Sequence, residues 1–240
     1  MCGRYSLTRR EAELVERFGI EQLLVEGEHL RPRYNIAPTQ MVPVILDKDG
    51  QRVLAEMKWG LIPFWAKEPK KTKPIINARS ESIAEKPFFK QAANKRRCLI
   101  PADGFYEWKK ANKEKIPLFI HFADKEIFAF AGLWDRWKGN DGEEIHSCTI
   151  ITTEANEFMA PVHDRMPVIV RPEHEARWLD PEIKDIEKLR DVLEPLSKDA
   201  LEMYRVSTEV NSPKFDKPEL VEPTPAQGNL FELLEALGGD

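Results

Sequence analysis

Between residues 97 and 170 the chain is crowded with short strand-like runs, and no other feature restricts the fold as much. The runs fall at 97–100, 104–108, 117–122, 127–133, 145–152 and 166–170. They are rich in β-branched and aromatic residues and are bounded by turn formers such as Lys138-Gly139-Asn140-Asp141-Gly142. Upstream, 41–46 and 52–59 read as a hairpin around Asp47-Lys48-Asp49-Gly50. A first strand is expected over 3–7 and a last one over 203–206. Helical patterns only surround this centre. Thr8 and Glu11 suggest a capping box before a helix ending at Gly19. Further helices are expected over 80–94 with a kink at Pro87, over 154–160, 172–179 and 183–193, and over 227–237. The fold class is therefore α+β: one domain with a largely antiparallel, barrel-like core decorated by short helices. The domain is expected over residues 1–210, with 211–240 as a tail that Pro213, Pro218, Pro223 and Pro225 make irregular.

With 42% apolar residues in 240, the chain can build a sizeable core. No apolar run approaches the roughly 20 residues that span a bilayer, and the first residues do not read as a signal peptide. Cys2, Cys98 and Cys148 are too few and too scattered for a disulfide framework or a zinc site. A cytoplasmic monomer without cofactor or membrane partner is expected. The net charge of −5 argues against nucleic acid, but its distribution does not. Residues 1–100 hold 19 Lys and Arg against 12 Asp and Glu, and the remainder hold 17 against 29. A basic half can receive an anion whatever the total.

Four segments carry residues suited to chemistry. If Met1 is removed, Cys2 presents a free α-amine beside its thiol, a pair that closes a five-membered thiazolidine on an aldehyde. Against this stands an incidental residue at a frayed end. Asn77 and Arg79 lie in Ile75-Ile76-Asn77-Ala78-Arg79, where an amide and a guanidinium can meet a phosphate, or merely cap a helix. Glu107, in Phe105-Tyr106-Glu107-Trp108, shares a strand face with Phe105. It is either a general acid/base raised by apolar surroundings or a solvent-facing strand residue. His163, in Pro161-Val162-His163-Asp164-Arg165, sits in a loop entering a strand. Phosphate-cradling, dinucleotide-binding and metalloprotease motifs are absent.

Taken together, these segments resemble a known family. Met1-Cys2-Gly3-Arg4-Tyr5, Arg33-Tyr34-Asn35-Ile36-Ala37-Pro38, Trp59-Gly60-Leu61-Ile62-Pro63, Ile76-Asn77-Ala78-Arg79-Ser80-Glu81, residues 97–108 and His163-Asp164-Arg165-Met166-Pro167 occur in that order. The chain resembles the SOS response-associated peptidases, or abasic site processing proteins, over about residues 2–210. The resemblance implies a cleft for single-stranded DNA and a covalent thiazolidine between Cys2 and the aldehyde of an abasic site, shielding the lesion. It implies Asn77, Glu107 and His163 as active-site partners of Cys2, and Arg4, Arg79 and Arg165 as phosphate or site-shaping contacts. Association with the nucleoid follows when the protein is on DNA. In the basic loop, Trp65 beside Phe64 and Lys67, Lys70, Lys71 and Lys73 is expected to stack on bases or else to pack as a lid. Two rivals remain: a cysteine-type autopeptidase using Cys2, His163 and Asn77, and a noncatalytic single-strand binding module.

Overall fold

The computed structural model describes residues 2–25, 30–69, 71–111 and 114–224. Met1, His29, Lys70 and the helix expected over 227–237 lie outside these residues. In chain order the elements are β1 (Tyr5–Leu7), α1 (Glu11–Phe18), β2 (Gln22–Leu23), β3 (Arg33–Ile36), β4 (Met41–Lys48), β5 (Gln51–Trp59), β6 (Asn77–Arg79), α2 (Pro87–Lys95), β7 (Arg97–Ala102), β8 (Gly104–Ala111), β9 (Glu114–Phe122), β10 (Phe128–Lys138), β11 (Glu144–Glu154), β12 (Arg165–Pro167), β13 (Ile169–Val170), α3 (Pro172–Leu179) and β14 (Leu201–Arg205).

Five strands close into a barrel. The order β11-β10-β7-β4-β5 is hydrogen-bonded throughout, and β5 returns to β11 through parallel pairing of Lys58 with Ser147 and Trp59 with Cys148. The other neighbours in the ring are antiparallel. The second sheet, β14-β9-β8-β1-β3, is antiparallel and packs on the barrel. Tyr5 joins the two, its ring lying edge-on to Trp59 at 5.3 Å and to Phe130 at 5.7 Å. The expected α+β class and barrel-like core are therefore what the chain adopts.

Local chemistry explains most elements. Asp49 and Gly50 both have positive φ, +56° and +83°, as a two-residue turn with the native strand twist requires. Pro87 does not kink a helix; it opens one at the first position, where its missing N–H costs nothing, and residues 80–82 form a separate 3-10 turn. Thr8 is not the cap of α1. Its N–H and hydroxyl both donate to Asp103 Oδ2 at 2.6 Å, and the helix begins after Arg10, whose N–H donates to Glu13. Residues 154–160 are not helical. β11 runs on to Glu154 because β12 pairs with it there, and turns follow. The stretch expected as a helix over 183–193 is 3-10 over Ile186–Leu193, bent at Leu189.

Beyond β14 the chain doubles back over the outer face of the second sheet. Val206, Val210 and Leu220 bury against Tyr106 and Phe119 as a cluster separate from the main core. The packing continues to Thr224, whose N–H donates to the Arg205 carbonyl. No helix among the described residues is long and apolar enough to cross a membrane.

Candidate active site

The site forms where two strands stop out of step. β1 pairs with β8 as Tyr5 with Phe105 and Ser6 with Gly104, and the Tyr106 N–H donates to the Arg4 carbonyl. Continuing that register sets Gly3 and Cys2 abreast of Glu107 and Trp108. The strand β1 itself reaches only to Tyr5, while β8 runs on to Ala111. Beyond Tyr106 the β8 edge therefore loses its neighbour, and a cleft of about 430 Å³ opens. Glu107, Trp108, Lys110, Lys115, His163 and Asn211 line it. Glu107 and Trp108 point to opposite faces of the strand, and both reach the cleft because it lies at the strand's edge.

Cys2 is fully buried, not frayed. Its thiol points at the Arg4 carbonyl at 3.8 Å. Burial first, and then the nearby Glu107 carboxylate, push that thiol far above its ordinary value. Glu107 is only 3% exposed, which rules out the solvent-facing reading. Its own carboxyl is pushed up by burial and pulled back in part by the N-terminal amine and then by His163. The carboxyl thus acts on the thiol, and the imidazole acts on the carboxyl.

His163 is held by what surrounds it. Its N–H donates to the carbonyl of the buried Met159. The ring Nδ1 lies 3.0 Å from the Arg165 N–H and 2.7 Å from Asp164 Oδ1. It accepts from the amide only when bare and donates to the carboxylate only when it carries a proton, so which ring nitrogen holds the proton decides its partner. Arg165 pins the next strand, gripping both oxygens of Glu81 and the Thr152 carbonyl.

Asn77 opens β6, which runs parallel beside β11. The Trp59 indole and the Ile150 N–H both donate to the preceding carbonyl of Ile76. Gly60 lets that segment approach, since a Cβ there would meet Pro74 at 2.5 Å and its φ is +126°. Both polar atoms of the Asn77 side chain are buried without a hydrogen-bond partner among the described residues. A buried amide left so costs free energy that a ligand can recover.

The remaining candidates separate into two kinds. Arg79 is exposed, and so is Trp65 at 53%, its ring edge-on to Phe64 and close to Phe88. Arg4 and Arg165 spend their terminal Nη donors on the protein: Arg4 on Asn35 and the carbonyls of Val210 and Asn211, Arg165 as described. Both shape the site from within. Sequence reasoning passed over Lys110, Lys115, Trp108 and Asn211 as cleft residues. Trp108 and Lys110 follow from continuing β8 past its partner's end, and Lys115 stands opposite Lys110 on β9; nothing local signals Asn211.

The chain as a whole is similar to known proteins. The profile of a family described as "SOS response associated peptidase (SRAP)" matches residues 1–213. Abasic site processing protein YoqW of Bacillus subtilis is 46% identical over 223 residues, covering 92% of this chain and 99% of that one. Abasic site processing protein HMCES of Xenopus tropicalis is 36% identical over 228 residues, covering 81% and 67%. A crystal structure of a protein from Bacteroides thetaiotaomicron superposes with a TM-score of 0.80 at 28% identity, covering 93% of this chain and all of that one.

Proposed function

This chain belongs to the SOS response associated peptidase (SRAP) family, and on that premise we propose that it processes abasic sites in DNA by closing a thiazolidine on them through Cys2. The observation that carries the reading is a cleft lined by an imidazole and by a carboxyl held above its usual range, a carboxyl whose charge also acts on the buried Cys2 thiol. Once Met1 is removed, the α-amine of Cys2 is the first nucleophile. It adds to the ring-opened aldehyde of the abasic sugar to give a carbinolamine, which loses water to become an imine. The S–H then adds across that C=N bond, sulfur to carbon and the proton to nitrogen. One water leaves in all.

Each neighbour has a task in this sequence. Protonated Glu107 donates to the sugar ring oxygen as the ring opens, then to the departing hydroxyl of the carbinolamine; between the two it recovers a proton from the amine. His163 supports the sugar hydroxyl set free by ring opening. Asn77, with its amide unused by the protein, accepts from the α-amine and aims the lone pair at the aldehyde. Lys110, Lys115, Arg79 and the Phe64–Trp65 pair present charge and stacking surface to a single strand. A peptidase nucleophile acts as a thiolate, whereas burial and Glu107 hold this thiol protonated. That favours amine-first capture over peptide cleavage.

The test is the intact mass of the mature protein mixed with a single-stranded oligonucleotide carrying one abasic site. The expected species is protein plus DNA less one water. Cys98→Ser and Cys148→Ser should form it. Cys2→Ala should not, and a normal adduct from that variant overturns the mechanism.

A further inference from the structure

Asn35 belongs to a motif that marks the family resemblance, yet it does not line the cleft. It is 2% exposed, and its whole side chain is committed. Its Oδ1 accepts from Arg4 Nη1 at 2.7 Å. Its amide N–H groups are spread over the carbonyls of Val210, Ser212 and Phe215, at 3.3, 3.1 and 2.8 Å. The Arg4 guanidinium continues the network, donating to the Val210 carbonyl at 2.6 Å and the Asn211 carbonyl at 3.4 Å. Two residues thus hold a segment more than 170 positions away in sequence. That segment carries Asn211, whose side-chain oxygen accepts from the Trp108 indole at 2.6 Å. Asn211 and Trp108 form one wall of the cleft that Glu107 and His163 share.

We infer that Asn35 is a positioning residue for capture: through Arg4 and three strap carbonyls it fixes residues 207–221 so that Asn211 stands against Trp108 and closes one side of the DNA cleft. The strap has little regular structure of its own, with two short 3-10 turns at Thr208–Asn211 and Pro218–Val221. Its carbonyls are not held by a strand ladder, so the side chains of Asn35 and Arg4 supply the partners that buried backbone demands. Asn suits this place because it offers an acceptor to Arg4 and donors to the carbonyls at once. Aspartate keeps the first and loses the second. Arg4 also lies two residues from Cys2, so the same network sets the strap and the strand end that bears the nucleophile.

The inference rests on the capture reaction proposed above. The measurement is the rate of adduct formation against DNA concentration, alongside limited proteolysis of the free protein. Asn35→Ala and Asn35→Asp should expose residues 207–221 to cleavage while the rest of the domain resists. They should raise the half-saturating DNA concentration about tenfold, roughly 1.4 kcal/mol of docking. The limiting rate should stay within about threefold, and its pH profile unchanged, because Glu107 and His163 keep their places. Trp108→Phe, which removes the indole N–H together with its five-membered ring, and Asn211→Ala should shift half-saturation in the same direction. These two still decide the matter if the Asn35 variants do not fold. Unchanged half-saturation in all variants, with a normal wild-type adduct, overturns the positioning role alone. So does a strap that stays protected in folded Asn35→Ala. Absence of adduct from wild type overturns the capture reading and this inference with it.

Discussion

Glu107 and Glu175 are buried alike, 3% and 2% exposed, and sit among opposite neighbours. Glu175 lies on α3, and its two oxygens take N–H groups from Arg17 at 2.8 Å and Arg52 at 3.3 Å. Those arginines also donate to the carbonyls of Ile127 and Phe18, so one carboxylate ties α1, β5 and α3 together. Glu107 faces a thiol and an imidazole. Taking a carboxylate out of water costs several kcal/mol, which cations can offset. At Glu175 the offset is built in. At Glu107 it is incomplete, the carboxyl holds its proton into a higher pH range, and the result is a group able to give that proton away.

The sharpest way to break this contrast is to remove ionisation from each. Glu107→Gln keeps shape and hydrogen bonding but cannot shuttle a proton. Adduct formation at saturating DNA should slow by roughly 100- to 10,000-fold, with affinity for DNA nearly unchanged. Denaturing gels over time measure it, and a wild-type rate would make Glu107 no different in kind from Glu175. Glu175→Gln should do the reverse. It leaves two guanidiniums without their anion and should cost roughly 3 kcal/mol of stability, the low end for a broken buried pair because both arginines keep some contact with water. Chemical denaturation reads the loss, and adduct formation by the folded fraction should be normal.

A smaller effect separates docking from chemistry. Capture at low DNA concentration should fall with salt, with a slope of roughly −0.7 per phosphate contacted, while a finished adduct is indifferent to salt. Adduct that washes off at high salt would show that no bond had formed. The smallest effect lies in stability against pH. A carboxyl whose folded value is raised binds its proton more tightly in the folded state. Its contribution is therefore complete below the ordinary carboxylate range and is lost as pH rises through the raised value. Glu107→Gln should remove that decline, so its melting temperature should gain on wild type between acid and neutral pH. A constant difference would place Glu107 in an ordinary environment.

What was legible in the sequence was whatever neighbouring residues settle between themselves. The 41–59 hairpin follows from Asp49-Gly50, and the alternation in β8 set Glu107 on the face of Phe105, leaving its burial to be decided by the fold. Misreadings arose where a distant partner outbid a local one. Thr8 has the chemistry of a cap, but Asp103 claims both its donors. Residues after Asn211 carry prolines that leave only a short 3-10 turn at Pro218–Val221, yet nothing in them announces that Asn35 will hold their carbonyls. The candidate site was readable as a set of residue types in order. The cleft was not, because it depends on β1 stopping while β8 continues.

The burial of Cys2 has a consequence for the lifetime of the reagent itself. Peroxides attack thiolates, and a thiol that is enclosed and protonated offers them little to attack. Sulfur spent on a sulfenic or sulfinic acid cannot close a ring on an aldehyde. If capture runs as proposed, each protein is used once per lesion, and a nucleophile that survives the wait is an advantage. The enclosure that leaves Cys2 unreactive at rest thus preserves the reduced form that capture consumes.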